Sequence, residues 1–114
     1  MTWIVVSKLF GGEFVENTKF ANLQSSIYYL IKQELLSNGC EVDVEDVEGV
    51  RFICGDGINI ELVLSKLRPF LNKMGVVVEV VGNKLQFVKD FGVIKIDDFE
   101  IPNKLILIEL EVVD

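Results

Sequence analysis

The chain has 114 residues, half of them hydrophobic and a quarter charged, which predicts a single folded domain and argues against a disordered chain. Eleven Lys and Arg against 18 Asp and Glu give a formal charge of −7, a sign that repels phosphate backbones and anionic membrane surfaces. With no histidine, a Ser-His-Asp triad, an HExxH zinc site and an imidazole base are all excluded, and two cysteines cannot build a four-thiolate zinc centre.

Residues 3–10 are rich in β-branched and aromatic types and predict a strand, with Trp3 in the core. Gly11-Gly12 ends it, and residues 13–16 form a short hairpin arm or a loop. Residues 18–38 predict a helix, because Phe20, Leu23, Ile27, Leu30 and Ile31 recur at the 3.6-residue period and Leu35 extends the stripe. Asn17 or Thr18 can cap its start, and Gly39 supplies a left-handed stop.

Residues 40–54 predict a hairpin. Cys40, Val42 and Val44 alternate with Glu41, Asp43 and Glu45, and Val50, Phe52 and Cys54 alternate with Arg51 and Ile53. Asp46 suits the first position of the turn, and Gly49 suits a left-handed residue in a three-residue loop. This register sets Val44 opposite Phe52 and Val42 opposite Cys54. Cys40 then lies diagonal to Cys54, and two reduced, buried thiols are expected.

Residues 59–74 predict a second helix on the stripe Ile60, Val63, Leu64, Leu67, Leu71 and Met74, with Asn59 as cap, Gly75 as stop and a kink or break at Pro69. Val76, Val78 and Val80 then face one way. The turn Gly82-Asn83 pairs Val80 with Leu85 and Val78 with Phe87. Asp90-Phe91-Gly92 turns the chain into Val93–Ile96, Pro102-Asn103 is a loop, and Leu105–Val113 is the last strand.

The order β-α-β-β-α-β, followed by further strands, predicts an α+β domain spanning 1–114. Its expected core is a ferredoxin-like split βαβ with a C-terminal antiparallel meander and both helices on one sheet face. A sheet covered on one side should be polar on the other, yet Val77, Val81, Val88, Leu105 and Leu107 fall on the outward set. Either the meander folds over the sheet and buries them within the chain, or a partner does. In the second case these five are the expected self-association face of a homodimer, with edge-strand pairing as the alternative.

The string Cys54-Gly-Asp-Gly-Ile-Asn59 resembles the GDGxND magnesium motif of haloacid-dehalogenase phosphatases and P-type ATPases over five residues. That resemblance implies a magnesium-dependent hydrolase, but Ile60 stands where the motif has aspartate and no DxDx[TV] nucleophile motif exists. A plain strand-to-helix turn accounts for the string. Neither Asp43, Glu45 and Asp46 nor Asp97, Asp98 and Glu100 match an EF-hand loop. No cofactor and no catalytic constellation is expected, so the chain is not read as an enzyme.

The acidic residues Glu41, Asp43, Glu45, Asp46 and Glu48 are the expected partner-binding face. The expected function is regulatory or inhibitory binding of a protein with a basic surface, of which a nucleic-acid mimic such as a viral inhibitor of host defence is one form. The alternative is a dimeric small-molecule-sensing domain. Direct nucleic-acid and membrane binding are not expected. Met1–Lys8 lacks a basic and extended apolar leader, which together with reduced thiols points to the cytoplasm.

Overall fold

Alternation in Thr2–Lys8 buries Thr2, Ile4 and Val6 along one side of strand β1. The computed structural model describes residues 1–11, 15 and 17–114, with Asn17 described by its backbone alone. The expected hairpin arm at 13–16 and capping by the Asn17 side chain lie outside the described residues. Helix α1 (Asn17–Ser37), β2 (Cys40–Glu45), β3 (Gly49–Cys54), α2 (Ile60–Met74), β4 (Val76–Val81), β5 (Lys84–Ile96) and β6 (Phe99–Val113) follow.

The strands form one antiparallel sheet in the order β2-β3-β1-β6-β5-β4. An α+β fold of two helices on an antiparallel sheet stands. The simple ferredoxin-like order does not, since that order seats β4 beside β1. Here β6 takes that place and the β5–β6 hairpin separates β4 from β1, so α2 carries the chain across three strands. The 15-residue β6 gives β1 a longer partner than the six-residue β4 could.

Ile4, Val6, Val50, Phe52, Phe87 and Leu110 share a core with Ile27, Ile31 and Leu35 of α1 and with Val63, Leu64, Leu67 and Leu71 of α2. Gln24 of α1 donates from Nε2 to the carbonyls of Leu9 and Leu107, both at 2.8 Å, and so ties the helix to the sheet. At α2, Asn59 Oδ1 accepts from the Leu62 amide at 3.1 Å, and Gly75 at φ 69° ends the helix. Pro69 does not split α2. It lies on the exposed side, where the carbonyl left without a donor can be hydrated.

The first hairpin departs from the expected register. A bulge between Val42 and Val44 sets Val42 opposite Phe52 and Val44 opposite Arg51, which brings Cys40 directly opposite Cys54. The two cysteines form a disulfide, so they are not free thiols, and the compartment argument drawn from reduced thiols falls with them. Among the described residues no helix is long and apolar enough to cross a membrane. Gly49 is not left-handed. A side chain there would sit 2.2 Å from the Val6 carbonyl, so glycine is required by the close approach of β1.

Asp90-Phe91-Gly92 is not a turn between strands but an irregularity within β5. Asp90 Oδ1 accepts from the Gly92 amide at 2.8 Å, and Gly92 adopts φ 94°. Pro102 and Asn103 likewise lie inside β6, with Pro102 opposite Val93 where the ladder shifts register. The chain reverses at Asp97-Asp98, between the paired residues Ile96 and Phe99. Trp3 is only half-buried, on the helix-free face, where Arg51 stacks 5.0 Å from its ring centre.

Candidate functional site

The outer half of the β5–β6 hairpin leaves the sheet. Strand β4 accompanies β5 only as far as Lys89, and β1 accompanies β6 only from Ile108 onward. Residues 93–102 are therefore a two-stranded ribbon. Phe91 anchors its base, with its ring 6.3 Å from Phe20 on α1. The molecule measures 52 × 26 × 24 Å and exposes 6985 Å², against roughly 6,300 Å² expected for a globule of this mass. The long axis fits a projecting arm.

Pairing decides what each side of the arm presents. Ile94 opposes Ile101 and Ile96 opposes Phe99, so these four side chains share one face. Lys95 opposes Glu100 and Val93 opposes Pro102 on the other. On the apolar face, Ile96 is 41 % exposed, Phe99 73 % and Ile101 43 %. The tip adds Asp97 and Asp98 next to Glu100, with Lys95 the one cation of the ribbon. An isolated two-stranded ribbon is at best marginally stable in water. The sequence reading missed this site because it placed chain breaks at 90–92 and 102–103. The available signal was Asp97-Asp98 flanked by Ile94, Ile96, Phe99 and Ile101.

The acidic hairpin is not one uniform face. Glu41 opposes Ile53 and Glu45 opposes Val50, residues on opposite sides of β3, so the bulge at Asp43 sends Glu41 and Glu45 to opposite faces of the sheet. Glu45 turns toward α1, where it accepts from Tyr28 Oη and Lys32 Nζ, each at 2.6 Å. Those bonds hold its carboxyl below the usual range, Lys32 contributing most and Tyr28 next. The Tyr28 hydroxyl is in turn pushed well above its ordinary value, first by burial and then by the Glu45 hydrogen bond and charge. Asp43 pairs with Arg51 at 2.7 Å. Asp46 accepts from the amides of Glu48 and Gly49 and shapes the turn. Glu41 and Glu48 remain without a side-chain partner among the described residues.

The helix-free face is not an apolar patch. Lys84 pairs with Glu109 at 3.1 Å and Glu111 at 3.6 Å, Gln86 donates to Glu109, and Lys104 pairs with Glu79 at 2.5 Å. The pairing with Glu109 raises the Lys84 pKa. Of the expected self-association residues, Val77 and Val81 are 60 % and 51 % exposed, while Val88 and Leu107 are buried and Leu105 is half-buried. Leu107 is the extra residue of a bulge in β6, which turns it into the core and packs Leu105 against it. The five do not form one surface.

In the loop that carries the GDGIN string, the Met1 ammonium contacts the exposed Asp56. Gly12 lies outside the described residues. Among the described residues no three Cys, Asp or Glu side chains are grouped to hold a metal ion. A groove of about 570 Å³ along β1 and the β2–β3 turn mixes Lys8 and Arg51 with Asp46 and Glu48, so it carries no charge of one sign. Comparison of the chain with family models, with curated proteins and with solved structures gives no match.

Proposed function

We propose that the protein is a non-enzymatic binding module that inserts the arm of residues 93–102 into a protein partner. The observation that carries this reading is the face built from Ile94, Ile96, Phe99 and Ile101. It is apolar, exposed at Ile96, Phe99 and Ile101 with Ile94 half-buried, and paired with no third strand among the described residues. Ordering a ribbon and leaving its apolar side in water is unfavourable, and burial against a partner removes that cost. Asp97 and Asp98 at the tip select a groove with an apolar floor and a basic rim, while Glu100 is paired with Lys95 on the other face. This keeps the basic protein partner expected from the charge but places the contact on the arm rather than the first hairpin. A mimic of a phosphate ladder would need regularly spaced free carboxylates. On β2 the bulge and the internal bonds of Asp43 and Glu45 leave Glu41 alone unpaired.

The test is affinity capture from the native host with the wild-type chain and two variants, Ile96→Asp with Phe99→Asp on the arm, and Glu41→Lys with Glu48→Lys on the hairpin. The arm variant should lose the partner and the hairpin variant should keep it, with binding weakened by salt. Retention by the folded arm variant would overturn the reading. A saturable thermal shift with an amino acid, a nucleotide or a divalent ion would favour a ligand sensor instead.

A further inference from the structure

An antiparallel sheet exposes backbone donors and acceptors at its two outer strands, and proteins usually blunt both. In this sheet the outer strands are β2 and β4. The β2 edge is blunted twice. A bulge interrupts it at Asp43, and three of its six residues, Glu41, Asp43 and Glu45, are charged. The β4 edge carries neither device. Its six pairs with β5 run in unbroken register from Val76 to Val81, and its sequence, Val-Val-Val-Glu-Val-Val, contains no Lys, no Pro and a single charge. Val77, Val80 and Val81 are all more than half exposed.

The turn at Gly82-Asn83 fixes which backbone groups are free. A two-residue turn closes on a hydrogen-bonded pair, here Val81 with Lys84. Alternation then commits the amides and carbonyls of Val77, Glu79 and Val81 to β5. Those of Val76, Val78 and Val80 point outward from the sheet.

We propose that this edge binds a second copy of the chain, with the two β4 strands antiparallel about a two-fold axis through Val78. The strand is chemically self-complementary in that register. Val78 faces its own copy and Val76 faces Val80, which uses all the outward groups in roughly six backbone hydrogen bonds. Glu79 falls opposite the Val77 of the second copy. A register centred on Glu79 would instead set two carboxylates face to face. Glu79 is also ion-paired to Lys104, so its charge is balanced within each chain. The product is a continuous sheet of two six-stranded halves, with the helix layers on one side and the two arms projecting from opposite ends. The interface is independent of the arm. Six residues per chain bury less than the roughly 1,200 Å² of a standard interface, so the dimer is a weak one.

Sedimentation velocity of the full chain from about 5 µM to about 1 mM should show a monomer passing to a dimer. Val80→Lys, which adds an edge charge, and Val80→Pro, which removes an outward N–H, should each weaken the dimer at least tenfold, with circular dichroism unchanged for the lysine variant. Oxidation of the Val77→Cys with Glu79→Cys variant should trap a covalent dimer, because those positions meet as a close non-hydrogen-bonded pair. The Val77→Cys with Val81→Cys variant should not. A monomer throughout the concentration range, a dimer that survives Val80→Lys, or trapping only by the second cysteine pair would overturn the proposal.

Discussion

Replacing Glu45 by glutamine tests whether the acidic hairpin is used inside the molecule. Its carboxylate takes one hydrogen bond from Tyr28 Oη and one from Lys32 Nζ, each at 2.6 Å, and so clasps β2 to α1. Hydrogen bonds to a charged group contribute about 1.5–3 kcal/mol when shielded. Lys32 and Glu45 keep 25 % and 33 % of their side-chain surface exposed, so solvent screening brings the ion pair down to about 1 kcal/mol. Glutamine retains an acceptor for one donor, and the net loss should be about 1–2 kcal/mol, a fall in melting midpoint of roughly 4–8 °C. Urea unfolding at pH 7 measures it, and a double-mutant cycle with Tyr28→Phe should return a coupling of about 1 kcal/mol. The pH dependence has a defined sign. The folded carboxyl titrates below its ordinary value of 4.5, so its contribution is present above that value and is lost as pH falls through the folded pKa. Wild type and Glu45→Gln should therefore converge in acid. Equal stability at pH 7 with no coupling to Tyr28 would refute the clasp and return Glu45 to the set of carboxylates open to a partner.

Three further outcomes follow from the same structure. Cys40 and Cys54 close a loop with a sequence separation of 14, so reduction should cost about 3 kcal/mol in chemical unfolding with and without a thiol reductant. The Tyr28 hydroxyl holds its proton above the ordinary value of 10.0, so stability should be level below that pH and fall as pH rises beyond it. Tyr28→Phe should flatten that alkaline decline in urea midpoints. Phe87 is fully buried and Phe99 is 73 % exposed on the arm, so Phe87→Ala should cost about 3–5 kcal/mol and Phe99→Ala less than about 0.5 kcal/mol in thermal unfolding.

Local signals were legible wherever one residue's conformation or one periodic stripe decided the outcome. The α2 limits were set by Asn59 and Gly75, and the pairing of Val80 with Leu85 and Val78 with Phe87 followed from Gly82-Asn83. The misreadings share a physical origin in bulges, which shift side chains without a distinctive residue signature. One extra residue at Asp43 moved Cys40 from the diagonal to the position opposite Cys54 and split Glu41 from Glu45. Another at Leu107 turned Leu105 and Leu107 from the open face toward the core. The turn chemistry at Asp90–Gly92 was real, since Asp90 does accept from the Gly92 amide. It bends a strand rather than ending one, so the arm and its apolar face were read as separate pieces. Strand order depends on which long hairpin offers β1 the better partner, a comparison between distant segments that local patterns do not contain.

Binding through the arm is tested most directly by a photo-reactive benzoylphenylalanine placed at Phe99 and, separately, at Glu41, in the full chain expressed in its native cells. Both positions are exposed, and neither side chain makes a hydrogen bond or ion pair among the described residues. Illumination of the Phe99 probe should give a discrete adduct with a protein partner that disappears when Ile96→Asp is added, while the Glu41 probe should give none. Adducts from Glu41 with none from Phe99 would contradict the account and return the contact to the acidic hairpin.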